Sequence, residues 1–240
     1  MFLTESPTEL TTGVTDALLT MECLVIMVCL RRAAPVGHWR ARLWSWVFGL
    51  LALSALLGAV VHGLMLPSST RAALWLPLYL SLGVLVALFM VGAIYDWQGR
   101  TAARRLIPWS IGVGVAFFGL TQFFSGGFGL FVVYEAMVMV SALAIYWRLA
   151  ATGRLKGAGV VAAAIVLNLL AAGLQASHVS ARLLFQFDHN GIFHLVQMIA
   201  TAMLGLGLGL GMQDEARGVF PEPEGAANRS QPISSKMKQT

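Results

Sequence analysis

The residues of this sequence equipped for chemistry are few: five histidines, eleven carboxylates and two cysteines in 240 positions. Two of the histidines, His62 and His194, sit a few residues inside the ends of apolar segments far apart in sequence. Imidazole is the commonest protein ligand of zinc and needs an acceptor on its second nitrogen to fix the tautomer. Asp16 and Glu135 are candidates for that acceptor, or for direct ligation. A catalytic zinc needs three protein ligands and an open position for water. His62 and His194, completed by one of His189, Asn190, Glu135 or Asp188, would make such a set, with Glu135 as base for a zinc-bound water. The expected cofactor is therefore zinc. Cys23 and Cys29 lie in one apolar run and form no CxxC pair. No HExxH occurs.

Periodicity sorts these residues onto faces. At 100° per residue, Asn190, His194, Gln197 and Thr201 fall within about 60° of one another. Phe193, Leu195, Ile199 and Met203 lie opposite, fit for lipid or packing. His189 sits about 140° from His194, so a regular helix does not bring both to one ion. Asp16, Thr20 and Cys23 make one stripe and Glu22 lies on another, while Asn168 and Gln175 share a face. Gly205, Gly207, Gly209 and Gly211 form two overlapping GxxxG pairs, read as close helix packing.

The elements that hold these residues follow from composition. The chain is 58% hydrophobic and 11% charged, with mean hydropathy +0.75. A soluble enzyme, a coiled coil and a disulfide-stapled module are excluded, because apolar runs of about twenty residues recur and each can cross a ~30 Å hydrocarbon layer. The expected fold is an all-α bundle of seven transmembrane helices, at about 13–30, 43–66, 72–95, 106–125, 128–147, 157–178 and 190–212, with residues 213–240 as a disordered cytoplasmic tail. The N-terminus lacks the basic region of a cleavable signal, so the first helix is expected to stay.

The net charge of +5 does not point to nucleic acid. Fourteen basic residues fall on one side of these spans, Arg31, Arg32, Arg40 and Arg42 among them, against Arg71 and Arg182 on the other. That bias places the N-terminus outside and the C-terminus inside a bacterial-type plasma membrane. All seven tryptophans fall near span ends, as interfacial anchors should.

With depth assigned, Asp16, His62, Tyr79, Gln122, Glu135, Gln175, His178, Asn190, His194 and Gln197 all fall toward the outer end. Carboxylates and imidazoles among lipid tails are costly unless they face the bundle interior or a wet cavity. A polar cavity open to the outside is therefore expected, lined by Asp16, Tyr79, Gln175 and Gln197. Glu135 is expected to face inward and contact a histidine, with His62 at similar depth.

Seven helices, an outside N-terminus, GAVVH with His62 and HNGIFH with His194 resemble the seven-helix hydrolase superfamily of alkaline ceramidases and progestin/adiponectin receptors. That superfamily holds zinc with one histidine of helix 2 and two of an HxxxH on helix 7, alongside an SxxxH serine and a helix-3 aspartate. Here Gly58 stands at the serine position, Asn190 at the first HxxxH position, and span 3 has no aspartate before Asp96. The resemblance implies a zinc-dependent hydrolase of a lipid amide or ester. Two other readings stay open: a non-enzymatic receptor-like bundle that binds a small molecule from outside, and a haem carrier with His62 and His194 as axial ligands. A retinal protein fails for want of a lysine inside the spans.

Overall fold

A backbone in hydrocarbon must satisfy its own hydrogen bonds, and a helix does so within one segment. The computed structural model of the chain describes residues 2–123, 127–177, 179–182 and 184–216. Among them the seven apolar runs become α1 (Pro7–Ala33), α2 (Trp39–Gly63), α3 (Ser68–Gln98), α4 (Arg100–Phe123), α5 (Gly127–Ala151), α6 (Ala158–Gln175) and α7 (His189–Ala216). All seven are long and apolar enough to span a bilayer, and the chain is a multi-pass membrane protein. A two-stranded antiparallel hairpin, β1 (Ala181–Arg182) and β2 (Gln186–Phe187), joins α6 to α7.

Most helices outrun the apolar spans by a turn because their ends are built from polar residues. α1 starts at Pro7, its fixed φ suited to a first turn, behind Ser6, whose Oγ accepts from the Glu9 amide at 3.4 Å. α3 stops at Gly99, whose φ of 87° belongs to the left-handed region, and α4 restarts at the next residue. α7 continues past the expected end at 212. Asp214 is buried there and accepts from Lys156 Nζ at 3.1 Å. Of the expected tail, residues 217–240 lie outside the described residues.

Six of the helices close a ring in the order α1, α2, α3, α5, α6, α7 and back to α1, while α4 stands outside it on α3. Small residues set the approach distances. A Cβ at Gly83 would lie 2.7 Å from the Gly114 carbonyl oxygen, so α3 and α4 meet backbone to backbone. The α7 glycines pack on both sides of the helix: Gly205 and Gly209 face Ile26 and Leu30 of α1, Gly207 meets Gly157 and Val161 at the start of α6, and Gly211 meets Arg40.

At the end of the ring away from His62, one charge expected in a loop is buried instead. Arg40 belongs to α2 and forms a two-pronged pair with Asp96 of α3, Nε to Oδ1 at 2.7 Å and Nη2 to Oδ2 at 2.9 Å. Tyr146 of α5 donates its hydroxyl to Asp96 Oδ2 at 2.7 Å. A charge in the bundle needs such a partner, and the fork of Arg40 supplies two bonds at once. Arg40 therefore leaves the tally of solvated basic residues. The tryptophans divide too. Trp46, Trp109 and Trp147 are exposed, whereas Trp44 is fully buried against Gly92 and Phe89, and Trp39 stacks on Tyr95.

Candidate functional site

The ring encloses a cavity of about 450 Å³ to which each of its six helices contributes. It reaches the helix ends at His62, Gln175 and His189, and its deepest wall includes Val47 and Phe48 of α2 and Phe89 of α3. From Gly58 to Val47 the helix descends about 16 Å, and from His194 to Leu204 about 15 Å, at 1.5 Å per residue. Polar side chains crowd the upper part: Asp16, Tyr79, Glu135, Asn168, Gln197 and His194 all line it. Below them the wall is Leu19, Leu51, Leu85, Val86, Ile165 and Leu204. The result is a polar ring above an apolar shaft.

His194 is the best-held member of that ring. Its Nδ1 lies 3.0 Å from Thr15 Oγ1 and its Nε2 lies 3.3 Å from Asp16 Oδ1, so α1 grips both ring nitrogens. Thr15 donates to His194 or accepts from it according to the tautomer. Asp16 is itself wedged against α2: a Cβ at position 58 would lie 2.6 Å from its Oδ2. Glycine at 58 is thus the space that lets the carboxylate stand between the two helices. Asp16, Thr15 and His194 are all buried. Thr15 is not among the described cavity-lining residues, so its hydroxyl orients the imidazole and presents no nucleophile to the cavity.

At the mouth, His62 Nδ1 meets Glu9 Oε2 of α1 at 2.7 Å, and Trp75 lies edge-on to the imidazole at 5.9 Å between centroids, with Tyr79 beside it at 5.6 Å. Gln175 Nε2 donates to Asn190 Oδ1 at 3.3 Å, tying α6 to α7. Asp188 caps α7, its Oδ1 accepting from the Gly191 amide at 2.9 Å and from Thr12 Oγ1 at 3.2 Å. Deeper, Asn168 Nδ2 donates to Glu135 Oε1 at 3.0 Å.

The structure places Asp16, His62, Tyr79, Glu135, Gln175, His189, Asn190, His194 and Gln197 around one cavity. It assigns different partners within it. The carboxylate on His62 is Glu9 rather than Glu135, and Glu135 pairs with an amide. Glu9 stays hidden in sequence because it precedes the apolar run, although helix α1 already includes it. The expected three-ligand zinc set does not assemble: among the described residues no group of three His, Cys, Asp or Glu side chains could hold a metal ion. Both nitrogens of His194 are engaged, and Asn190 and Asp188 have structural tasks. The described residues do not fit a resident zinc. Gln122 of α4 is exposed and bonds within its own helix, since α4 is outside the ring, and Phe193 lines the cavity instead of facing lipid. His178 lies outside the described residues.

A family model matches residues 11–213, which takes in all seven helices; it is described as a family of unknown function (DUF6962). No curated protein and no solved structure matches the chain.

Proposed function

The chain belongs to the DUF6962 family, and from that premise we propose that it is a membrane-embedded binding protein whose six-helix ring holds a single-chain amphiphile. The observation that carries this reading is the two-zone cavity. Volumes of roughly 300–1,000 Å³ with an apolar lining and a few convergent polar groups are those of small-molecule sites. Here the polar groups gather in the part nearer the mouth, from Asp16 and His194 down to Glu135 and Asn168, and a mainly apolar wall continues from them to Val47 and Phe48. A head group satisfied by the ring and a chain filling the shaft would match both zones.

The side from which the ligand enters follows from charge. The basic residues Arg100, Arg104, Arg105, Arg148 and Arg154 flank the helix ends opposite His62. The positive-inside rule then sets the cavity mouth on the outer face of the plasma membrane. Hydrolysis is the weaker reading, since no metal set assembles among the described residues and the lining serine, Ser54, donates its hydroxyl to the Leu50 carbonyl of its own helix.

Native mass spectrometry of the protein released from lipid nanodiscs tests the proposal. One amphiphile per chain is expected to survive gentle activation, with its occupancy indifferent to EDTA. Ser54→Phe places an aromatic ring in the shaft from a lining position and is expected to abolish retention. Equal retention in that variant, or release by EDTA, would overturn the reading.

A further inference from the structure

The head-group level has a one-sided charge. Asp16 and Glu135 are both more than nine-tenths buried and both line the cavity. Among the described residues lining it there is no lysine and no arginine. The carboxylates have only neutral or switchable partners there, Asn168 for Glu135 and His194 for Asp16. A single proton on His194 balances one of them and leaves the other. The contrast with the opposite end of the ring is direct: Asp96 faces a guanidinium of this same chain across 2.7 Å. A buried carboxyl either keeps its proton or faces a cation, and with no basic side chain in the described lining the cation that would ionise this pair has to come with the ligand.

We propose that the amphiphile bound in this cavity carries a cationic amine head, seated between Asp16 and Glu135 with its alkyl chain in the shaft below. The mouth suits the same cargo. Trp75 and Tyr79 line the approach with their rings 5.6 Å apart, and aromatic faces attract alkylammonium groups through their quadrupoles. Gln197 and Thr201 add neutral hydrogen-bonding groups on the α7 side, which serve an N–H donor without competing for charge. An anionic head would meet two buried carboxylates and no basic side chain among the described lining residues. A neutral head would leave the two carboxyls to keep their protons and would gain no charge-assisted contact.

This inference rests on the amphiphile reading, and its test separates the two. Saturable binding is measured for dodecylamine, dodecyltrimethylammonium, dodecanol and dodecanoate, below their micellar concentrations, with the full chain in nanodiscs of zwitterionic lipid and empty nanodiscs as blank. The two cations are expected to bind about tenfold or more tighter than the alcohol, the size of one charge-assisted contact, and dodecanoate weakest. Glu135→Gln and Asp16→Asn are each expected to reduce the amine-over-alcohol ratio about tenfold. The wild-type head-group series requires no variant to fold, and Trp75→Leu, at the half-buried mouth, gives a second measure through a lower ratio for both cations. Equal binding of amine and alcohol, or a preference for dodecanoate, overturns the cationic head while leaving the amphiphile site standing. No saturable binding by any of the four overturns both.

Discussion

Replacing Gly58 by alanine tests the link between backbone and site most directly. The added methyl would lie 2.6 Å from Asp16 Oδ2 and 2.9 Å from its Cγ. Carbon contacts relax near 3.5–4.0 Å, so the carboxyl has to retreat by about 1 Å. Asp16 has a short side chain, and its other oxygen is already 3.3 Å from His194 Nε2. The retreat carries that pair beyond hydrogen-bond reach. Overpacking costs about 1–3 kcal/mol and the unpaired buried groups about 1–3 kcal/mol more, offset by up to ~1 kcal/mol of helix propensity gained by alanine. A net loss of about 1–5 kcal/mol is expected in SDS-titration unfolding from mixed micelles, with amphiphile affinity falling about tenfold as His194 loses its orientation. Gly112→Ala is the control, because nothing lies within 4 Å of its Cβ position. Gly58→Ser, the residue that the ceramidase pattern carries there, meets the same obstruction and is expected to be at least as damaging. Wild-type stability together with wild-type affinity in Gly58→Ala would refute the idea that this glycine seats Asp16.

Three further outcomes can be checked. Arg40→Met leaves Asp96 buried with only Tyr146 of the described pair partners, so a loss of about 3–5 kcal/mol is expected in the same assay, and Arg40→Met with Asp96→Leu should recover much of it; equal losses in single and double variants would contradict a paired-charge account. Gly207→Ala drives a methyl to 2.8 Å from Val161 Cγ2 and 2.9 Å from the Gly157 carbonyl oxygen, with an expected loss of about 1–3 kcal/mol and lower resistance to protease at the 152–157 turn. Cysteines at the exposed positions Ser69 and Ser180 should react with an impermeant thiol reagent on intact cells, and labelling only after permeabilisation would put the cavity mouth on the cytoplasmic side.

Much of the bundle is legible in the sequence because a bilayer leaves little choice of secondary structure. Apolar runs of fixed length locate the helices, and the shared depth of Asp16, Glu135, His62 and His194 locates the cavity. What stays hidden is pairing between helices. Glu9 reads as a solvated residue ahead of a span until Pro7 and Ser6 extend the helix beneath it. Gly58 reads as a serine lost from a motif, whereas its meaning lies in the carboxylate opposite. Arg40 reads as one more loop cation, since only the packing of α2 on α3 reveals Asp96. The exclusion of α4 is equally silent, because only its backbone-to-backbone packing on α3 at Gly83 and Gly114 shows which side it offers.

The position of α4 also fixes how the walls of the ring are tethered. Successive spans alternate in direction, so α3 and α5, with one span between them, run parallel, as do α7 and α1. Four of the six walls are stitched at one end by a direct connection, while these two are held by side-chain contact alone: Tyr134 on the Gly83 carbonyl at 3.1 Å at one, Thr15 on His194 at the other. The barrel of helices therefore has two seams without a direct connection, on opposite sides; α3 and α5 are still tethered through α4, whereas α7 and α1 share no connecting loop. Of the two, the α7–α1 seam is the one that carries the polar ring, so any parting there disconnects the imidazole from its aspartate.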